Sequence, residues 1–492
     1  MGRITTYWLG SIPWKPTLIL FLSSFSHACT FSVMLGYMPD LLHEFGIFWT
    51  DVGIYQGQIV GLNSLAYGVF TFLAGFVIDK VGGLQFFIGG TFVQFLVMIS
   101  SAFICNIPSL YAASFLIGLA SCNRLAAKYI TLQISSEWNA SGVVTYSLWL
   151  PSNFGNLLGP SIGGFLALPV VQYPYLFRKG SFVDMFPALL PNLLVATIVL
   201  VTLLFSLSMW PTQERREDTV SERLLADTKD HSIVDRNTVG SRSTKNTENI
   251  CTLENTSWSY RKLLMFMSSR DVVLLLCVTL VSSLTIDTSL NVFSMWVLAP
   301  GDEGGMGYLP MQNGQLKLYA SVISIAVDLV VPIVILKLLG NVRGLSGSFL
   351  VFSISISMLW LPSRLNNQSW RFVLLLGIFL VNRVASTVIG VAYYVIMKNI
   401  IPRDIRGRLL SFESCLTMLA RSSGHVIFGQ TFSWSISNIK ETSGNVSFPF
   451  NEPFTFYVLS ILTLFGAIFS IFFTNEAERS PVEQIPSSSF KD

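Results

Sequence analysis

The chain has 492 residues, 51% apolar and 12% charged, and its 31 Lys plus Arg against 28 Asp plus Glu leave a formal net charge of +3. Soluble domains average about 25% charged residues, so this composition excludes a disordered chain, a disulfide scaffold and a nucleic-acid-coating protein, and it gives a soluble enzyme no support. Mean hydropathy is +0.58, and repeated apolar runs reach the ~18–20 residues that cross a bilayer, which defines a polytopic membrane protein.

Residues 1–16 are polar to mixed and carry Arg3 and Lys15. The apolar run that follows reaches about Leu35, too long for a signal-peptide core, and reads as an uncleaved first span. Spans are predicted at 17–38, 52–78, 84–105, 108–133, 142–167 and 185–209, then at 271–298, 312–339, 345–362, 370–397, 406–436 and 453–474. The expected fold is therefore an all-α membrane protein of twelve transmembrane helices in two six-helix bundles, 17–210 and 271–474. Residues 211–270 form a linker and 475–492 a tail. The linker holds ten basic and nine acidic residues and no aromatic before Trp258. Such a segment cannot bury enough apolar surface to offset its ordering entropy, so 213–257 is expected to be disordered.

Basic residues set the orientation. With both termini in the cytoplasm, the cytoplasmic segments hold 21 of the 31 and the opposite loops five: Arg178, Lys179, Arg364, Arg371 and Lys440. Without the linker the ratio is still 11 to 5. Sequons at Asn367 and Asn445 fall on the outer side and are the expected glycosylation sites; those at Asn139 and Asn255 fall inside. The six cysteines form no CxxC pair and read as small buried hydrophobes. There is no GxxxxGK[ST] loop, HExxH, Cys/His cluster or nucleophile–base pair, so neither ATP-driven transport, a cofactor, a metal site nor an enzyme is indicated.

The halves echo each other weakly. Phe115-Leu116 precedes Ala120-Ser121 in span 4, as Phe379-Leu380 precedes Ala385-Ser386 in span 10. Span 2 leaves through Gly75, Asp79, Lys80 and Gly82, and span 8 through Gly340, Arg343 and Gly344. In span 5, Gly155, Gly159 and Gly163 recur every fourth residue beside Pro160 and Gly164, a spacing that clears one helix face for close packing while the proline permits a kink. Asp79 is read as an inner-gate contact with the start of span 11, where Arg406 and Arg408 stand, or else as a solvated loop carboxylate.

Here the residues resemble a known family. Gly75, Asp79, Lys80 and Gly82 resemble motif A of the major facilitator superfamily. Gly155, Gly159, Pro160, Gly163 and Gly164 resemble motif C, the mark of its drug/proton antiporter branch. The stretches Phe165–Pro169, Tyr173–Phe177, Phe186-Pro187, Leu190–Leu193, Phe293–Trp296 and Gly304–Tyr308 are similar to the zinc-induced-facilitator-like carriers. The resemblance implies two pseudo-symmetric bundles rocking about a midplane site. It also implies a transporter in the plasma membrane or a vacuolar or endolysosomal membrane. Three positions depart from the pattern: Gly83-Leu84-Gln85 replace motif A's basic residues, Tyr146 stands for a motif C glycine, and Ser114 for the motif B arginine linked to proton coupling.

Ionisable groups inside spans cost about 2.5–3.5 kcal/mol each on insertion scales and should face a cavity or a partner. They are Arg124 and Lys128 (span 4), Asp287 (span 7), Asp328 (span 8), Arg383 (span 10), Glu413 and Arg421 (span 11), with His27 and His425 adding titratable rings. Arg124/Lys128 and Arg421/His425 are each four apart, so each pair shares a face. Lys128 and Lys317 lie near span ends, where snorkelling is the simple reading. Asn153, Asn156, Asn291 and Asn382 are candidate wall residues. The set suits a small zwitterionic or anionic solute with protons as the second partner, in a monomer needing only the bilayer. Antiport export is the leading reading; a uniporter or symporter, or a non-transporting sensor on a carrier fold, is the alternative.

Overall fold

The computed structural model describes residues 14–134, 145–208, 268–301, 304–400, 406–441 and 453–474. The linker up to residue 267, the tail, Arg403, Asn139, Asn255 and Asn445 lie outside the described residues, as do the side chains of Asp79, Arg406 and Arg408. Among the described residues the long elements are all helices, labelled here α1 to α12. In the first half they are α1 (Trp14–Ser32, extended by a 3-10 turn Val33–Gly36), α2 (Trp49–Val81), α3 (Gly83–Ser101), α4 (Ile107–Ala120 and Asn123–Ile134), α5 (Leu150–Leu166) and α6 (Leu189–Ser208). In the second they are α7 (Arg270–Leu298), α8 (Pro310–Leu339), α9 (Asn341–Ser357), α10 (Gln368–Ile400), α11 (Arg406–Glu441) and α12 (Phe454–Ile471).

Local chemistry sets their ends. Asn106 caps α4, its side chain accepting from the Ser109 backbone N–H at 2.8 Å while Ser109 Oγ accepts from the Asn106 N–H, and Pro108 fits the first turn. Gly82 ends α2 and starts α3 at φ +95°; Gly340 ends α8 and starts α9 at φ +84°. A side chain at either position is strained, so the two halves turn the same corner with the same residue. Span 4 differs from its counterpart. It breaks at Ser121 and Cys122, whereas α10 runs through Ala385 and Ser386 without interruption. Span 5 opens with a π-helical turn, Thr145–Trp149, before α5 proper.

Nine described helices are long and apolar enough to cross a membrane, ten with the two pieces of α8, which bends by 41° next to Asp328. The bend has a cause: Pro332 lacks an N–H and its ring abuts the carbonyl four residues back, which is Asp328. Of the two remaining helices, α5 has only 17 residues, and α11 carries polar groups such as Glu413, Arg421, His425 and Ser433 along its length, with Phe412, Leu419 and Ile427 exposed beside them. The lipid side is supplied elsewhere by exposed Phe72, Phe92, Leu96, Val322 and Ile354.

Packing repeats with an offset of six. In the first half α1 packs on α5, α2 on α4 and α3 on α4; in the second, α7 packs on α11, α8 on α10 and α9 on α10. Between halves α2 meets α11 and α5 meets α8, again a symmetry-related pair. The terminal face is the end where α1 and α7 begin; the distal face is the opposite one. Each half has its own core: Cys29, Val33, Met98 and Ile117 in the first, Trp296, Phe349, Phe352 and Phe379 in the second.

The glycines of α5 divide their work. A Cβ at Gly155, Gly159 or Gly163 would run into α1 or the turn that extends it, and one at Gly164 would run into Pro310 and Gly314 of α8. The first three therefore close the α1–α5 seam inside one half, and the fourth closes a seam between halves. On α2, Gly53, Gly57, Gly61 and Gly68 lie against α11 in the same manner. That four-residue glycine ladder was in the sequence at 53, 57 and 61 but was not read there.

Candidate central cavity

The halves are sealed towards the distal face. Gln56 Nε2 donates to Asn291 Oδ1 at 2.5 Å, the Ile54 N–H donates to Ser433 Oγ at 3.1 Å, and Ser422 Oγ donates to the Gly61 carbonyl at 2.8 Å. Asn291 Nδ2 lies 3.5 Å from His425 Nδ1. On the terminal side of this seal, between the halves, is a cavity of about 190 Å³ lined by α1, α2, α4, α5, α7, α10 and α11.

Of the residues singled out from sequence, His27, Arg124, Lys128, Asp287, Arg383, Glu413 and Arg421 line this cavity. Asp287 Oδ2 and Arg421 form an ion pair at 2.5 Å, with side-chain exposures of 23% and 14%. Arg421 also lies 5.6 Å from the Phe31 ring centroid, so its charge is held from both halves. Arg124 donates to Ser152 Oγ at 3.2 Å, and its Nε has no partner. Glu413 accepts from Thr417 at 3.1 Å and from Ser414 at 3.4 Å. His27 is buried edge-on to Tyr67, at 5.9 Å between centroids, and its Nδ1 has no hydrogen-bond partner.

Three placements differ from the expectation. Lys128 is not one of them: it lines the cavity and, rather than snorkelling, reaches across the halves to donate to Ser414 Oγ at 3.1 Å. Lys317 does not snorkel either; it is 3% exposed and donates to Ser294 Oγ at 2.7 Å. Asp328 is not among the lining residues but adjoins them: its charge acts on Arg383, and Asn153 and Thr387 lie against it. His425 belongs to the seal rather than to the cavity. Asn153 and Asn156 do line the cavity, and Asn153 donates to Thr387 across the halves at 3.1 Å. Asn382 instead donates to Ser355 inside the second half.

The gate residues are described in part. Gly75 has open space beside it and Lys80 is exposed. Asn367 is exposed, its side-chain oxygen accepting from the Ser369 N–H at 3.0 Å at the start of α10.

The sequence reading missed an aromatic wall. Trp149 lies over Gly390, where a Cβ would collide with its indole, and meets Tyr394 edge-on at 5.2 Å. Tyr393 abuts Tyr394 and pairs with Thr279 Oγ1 at 2.7 Å. The signal was available: Arg383, Ser386, Gly390 and Tyr394 follow one another at three- and four-residue steps, one face of a helix.

Two bundles related by a repeat, sealed at one face around a charged midplane cavity, define a membrane carrier rather than an enzyme. The sequence comparison agrees. Residues 20–425 match the Major Facilitator Superfamily profile, and the chain belongs to that family of transporters. Among relatives, it is 23% identical over 436 residues to Protein ZINC INDUCED FACILITATOR-LIKE 1 of Arabidopsis thaliana, covering 85% of this chain and 82% of that one. It is 26% identical over 219 residues to a major facilitator superfamily multidrug transporter of Aspergillus fumigatus, covering 42% and 36%. A crystal structure of a D-xylose-proton symporter superposes with a TM-score of 0.66 at 15% identity, over 96% of this chain and 99% of that one, a likeness of fold.

Proposed function

We propose that the chain is a secondary active carrier exporting a small organic solute or chelator in exchange for protons, with both termini in the cytoplasm. The observation that carries this reading is the Asp287–Arg421 pair in the cavity wall. A solute that engages Arg421 takes Asp287's partner and leaves the carboxylate to a proton, and re-forming the pair expels that proton. That alternation is antiport. The lining holds Arg124, Lys128, Arg383 and Arg421 against Asp287 and Glu413, which favours a solute with at least one anionic group. One relative named above is a multidrug transporter, which supports carriage of a small organic solute by analogy only.

The test is flux in inside-out vesicles with and without a pH gradient. Asp287→Asn is expected to abolish pH-driven uphill flux while sparing exchange of labelled for unlabelled solute. The coupling reading fails if Asp287→Asn, Asp328→Asn and Glu413→Gln each retain proton-driven accumulation. One observation favours uniport or symport instead. Ser114, at the position of the motif B arginine, is buried and donates to the Ile59 carbonyl at 3.1 Å, a packing role. Flux indifferent to the gradient in the unmodified protein would select that reading.

A further inference from the structure

A polar stripe runs along α7 through the seal. Asp287 stands in the cavity wall, Asn291 one turn further bonds Gln56 in the seal, and Ser294 lies one turn beyond that. Steps of four and three keep all three on one face. The stripe ends at Lys317 of α8, which donates to Ser294 and is buried. Among the described residues no carboxylate stands within ion-pair distance of Lys317, and no neighbouring charge acts on it. One turn before it, about 6 Å along the axis, Asn313 is fully buried with both side-chain polar atoms unpartnered.

This is an unusual combination. Buried amides are nearly always hydrogen-bonded, and buried ammonium groups are paired. Here an amide with two idle polar atoms and an ammonium with one neutral partner share a helix face. Gly314, between them, packs on Gly164 of α5 across the halves. The group therefore sits beside a seam that parts whenever α5 leaves α8. Ser294 Oγ accepts from Lys317 and donates to the Leu290 carbonyl at 2.9 Å, so it fixes the ammonium and offers no further hydrogen. Two remaining ammonium hydrogens and an amide N–H2 on one helix face, with no carboxylate among the described residues, are complementary to an anion.

We propose that Lys317 and Asn313, with Ser294 holding the ammonium in place, form an anion subsite at the distal end of the translocation route, separate from the central cavity, taking a small carboxylate or a halide. Its role is to receive the anionic group of the solute, or a free inorganic anion, when the distal seam opens. The location rests on the carrier reading given above, but the subsite is tested by binding alone.

The experiment is thermal unfolding of the purified full chain at constant ionic strength, titrating chloride, acetate or succinate against methanesulfonate. A ligand bound to the native state raises Tm in a saturable way. A chloride-specific rise identifies a free inorganic occupant, and a rise with acetate or succinate instead identifies the carboxylate of a solute. In either case Lys317→Gln weakens the apparent affinity about ten- to a hundredfold, the loss of one charge-assisted hydrogen bond, and Lys317→Arg retains it. Should Lys317→Gln not purify, Asn313→Leu carries the same expectation. The proposal is overturned if no anion shifts the unmodified protein, or if Lys317→Gln and Asn313→Leu shift as the unmodified protein does. It is also overturned if a shift appears only after neutralising Asp302 and Glu303, which would make a loop carboxylate the resident counter-ion. A failure here leaves pH-driven flux untouched, so it is distinguishable from a failure of the antiport reading.

Discussion

Arg421 connects two partners from two halves: the Asp287 carboxylate and the Phe31 ring. Removing one partner of such a pair leaves a partly buried charge without compensation, whereas removing both restores neutrality. Asp287→Leu and Arg421→Leu should therefore each lower Tm more than the double variant does. Their coupling is expected at about 0.5–3 kcal/mol by a double-mutant cycle on purified protein; independent, additive effects would mean the pair is not formed in solution. The sequence named both residues, since an ionisable side chain within a span is visible in one dimension. It did not show which carboxylate meets which cation. Asp287 and Arg421 are 134 positions apart, and only the docking of α7 on α11 brings them together. Asp328 and His425 have the same residue types as the lining groups yet adjoin the lining or stand in the seal, because helix rotation, not composition, decides what faces a cavity.

Glycine ladders act at the scale of elements, and their effect depends on which seam they close. Gly159 sits against Cys29 and Ser32 of α1, inside the first half. Gly429 sits against Gly53 and Gly57 of α2, between halves. A valine at the first position disrupts a bundle; a valine at the second holds two bundles apart. Gly159→Val is thus expected to lower Tm and yield, with a cost of about 1–3 kcal/mol typical of overpacking. Gly429→Val should leave Tm nearly unchanged while speeding maleimide labelling of a Ser433→Cys reporter from the distal side. Equal labelling rates with and without Gly429→Val would show that α2 and α11 are not the moving seam. The α5 ladder was legible because its spacing and Pro160 occur together in one short run. The α2 ladder, spaced just as regularly, was passed over because its glycines are scattered among polar residues such as Gln56 and Asn63.

At the scale of the molecule, the two halves share contacts offset by six helices and the same positive-φ glycine corner, Gly82 and Gly340. The number of long helices was readable from hydropathy. The repeat was barely readable, because what the halves share is the geometry of helix contacts, which unrelated side chains satisfy equally well. The break in α4 and the bend in α8 were unreadable for the same reason, apart from the hint given by Pro332. Topology remains a proposal from the 11-to-5 basic bias. It predicts that a cysteine placed at Asn367 reacts with an impermeant reagent on intact cells and one placed at Asn255 does not. The reverse pattern would invert the whole arrangement.

Trp149 gives this architecture an optical consequence. Its indole belongs to the first half but lies on Gly390 and against Tyr394 of the second, at the edge of the cavity. Among the described tryptophans, this one and Trp49, which packs on the cores of both halves, stand at the dividing line of the molecule. Rocking of the halves changes the neighbours of Trp149, its wetting and its distance from the Tyr394 phenol together. A variant that keeps Trp149 and replaces the other tryptophans with phenylalanine would thus carry a fluorescent gauge of alternating access, readable without knowledge of the cargo.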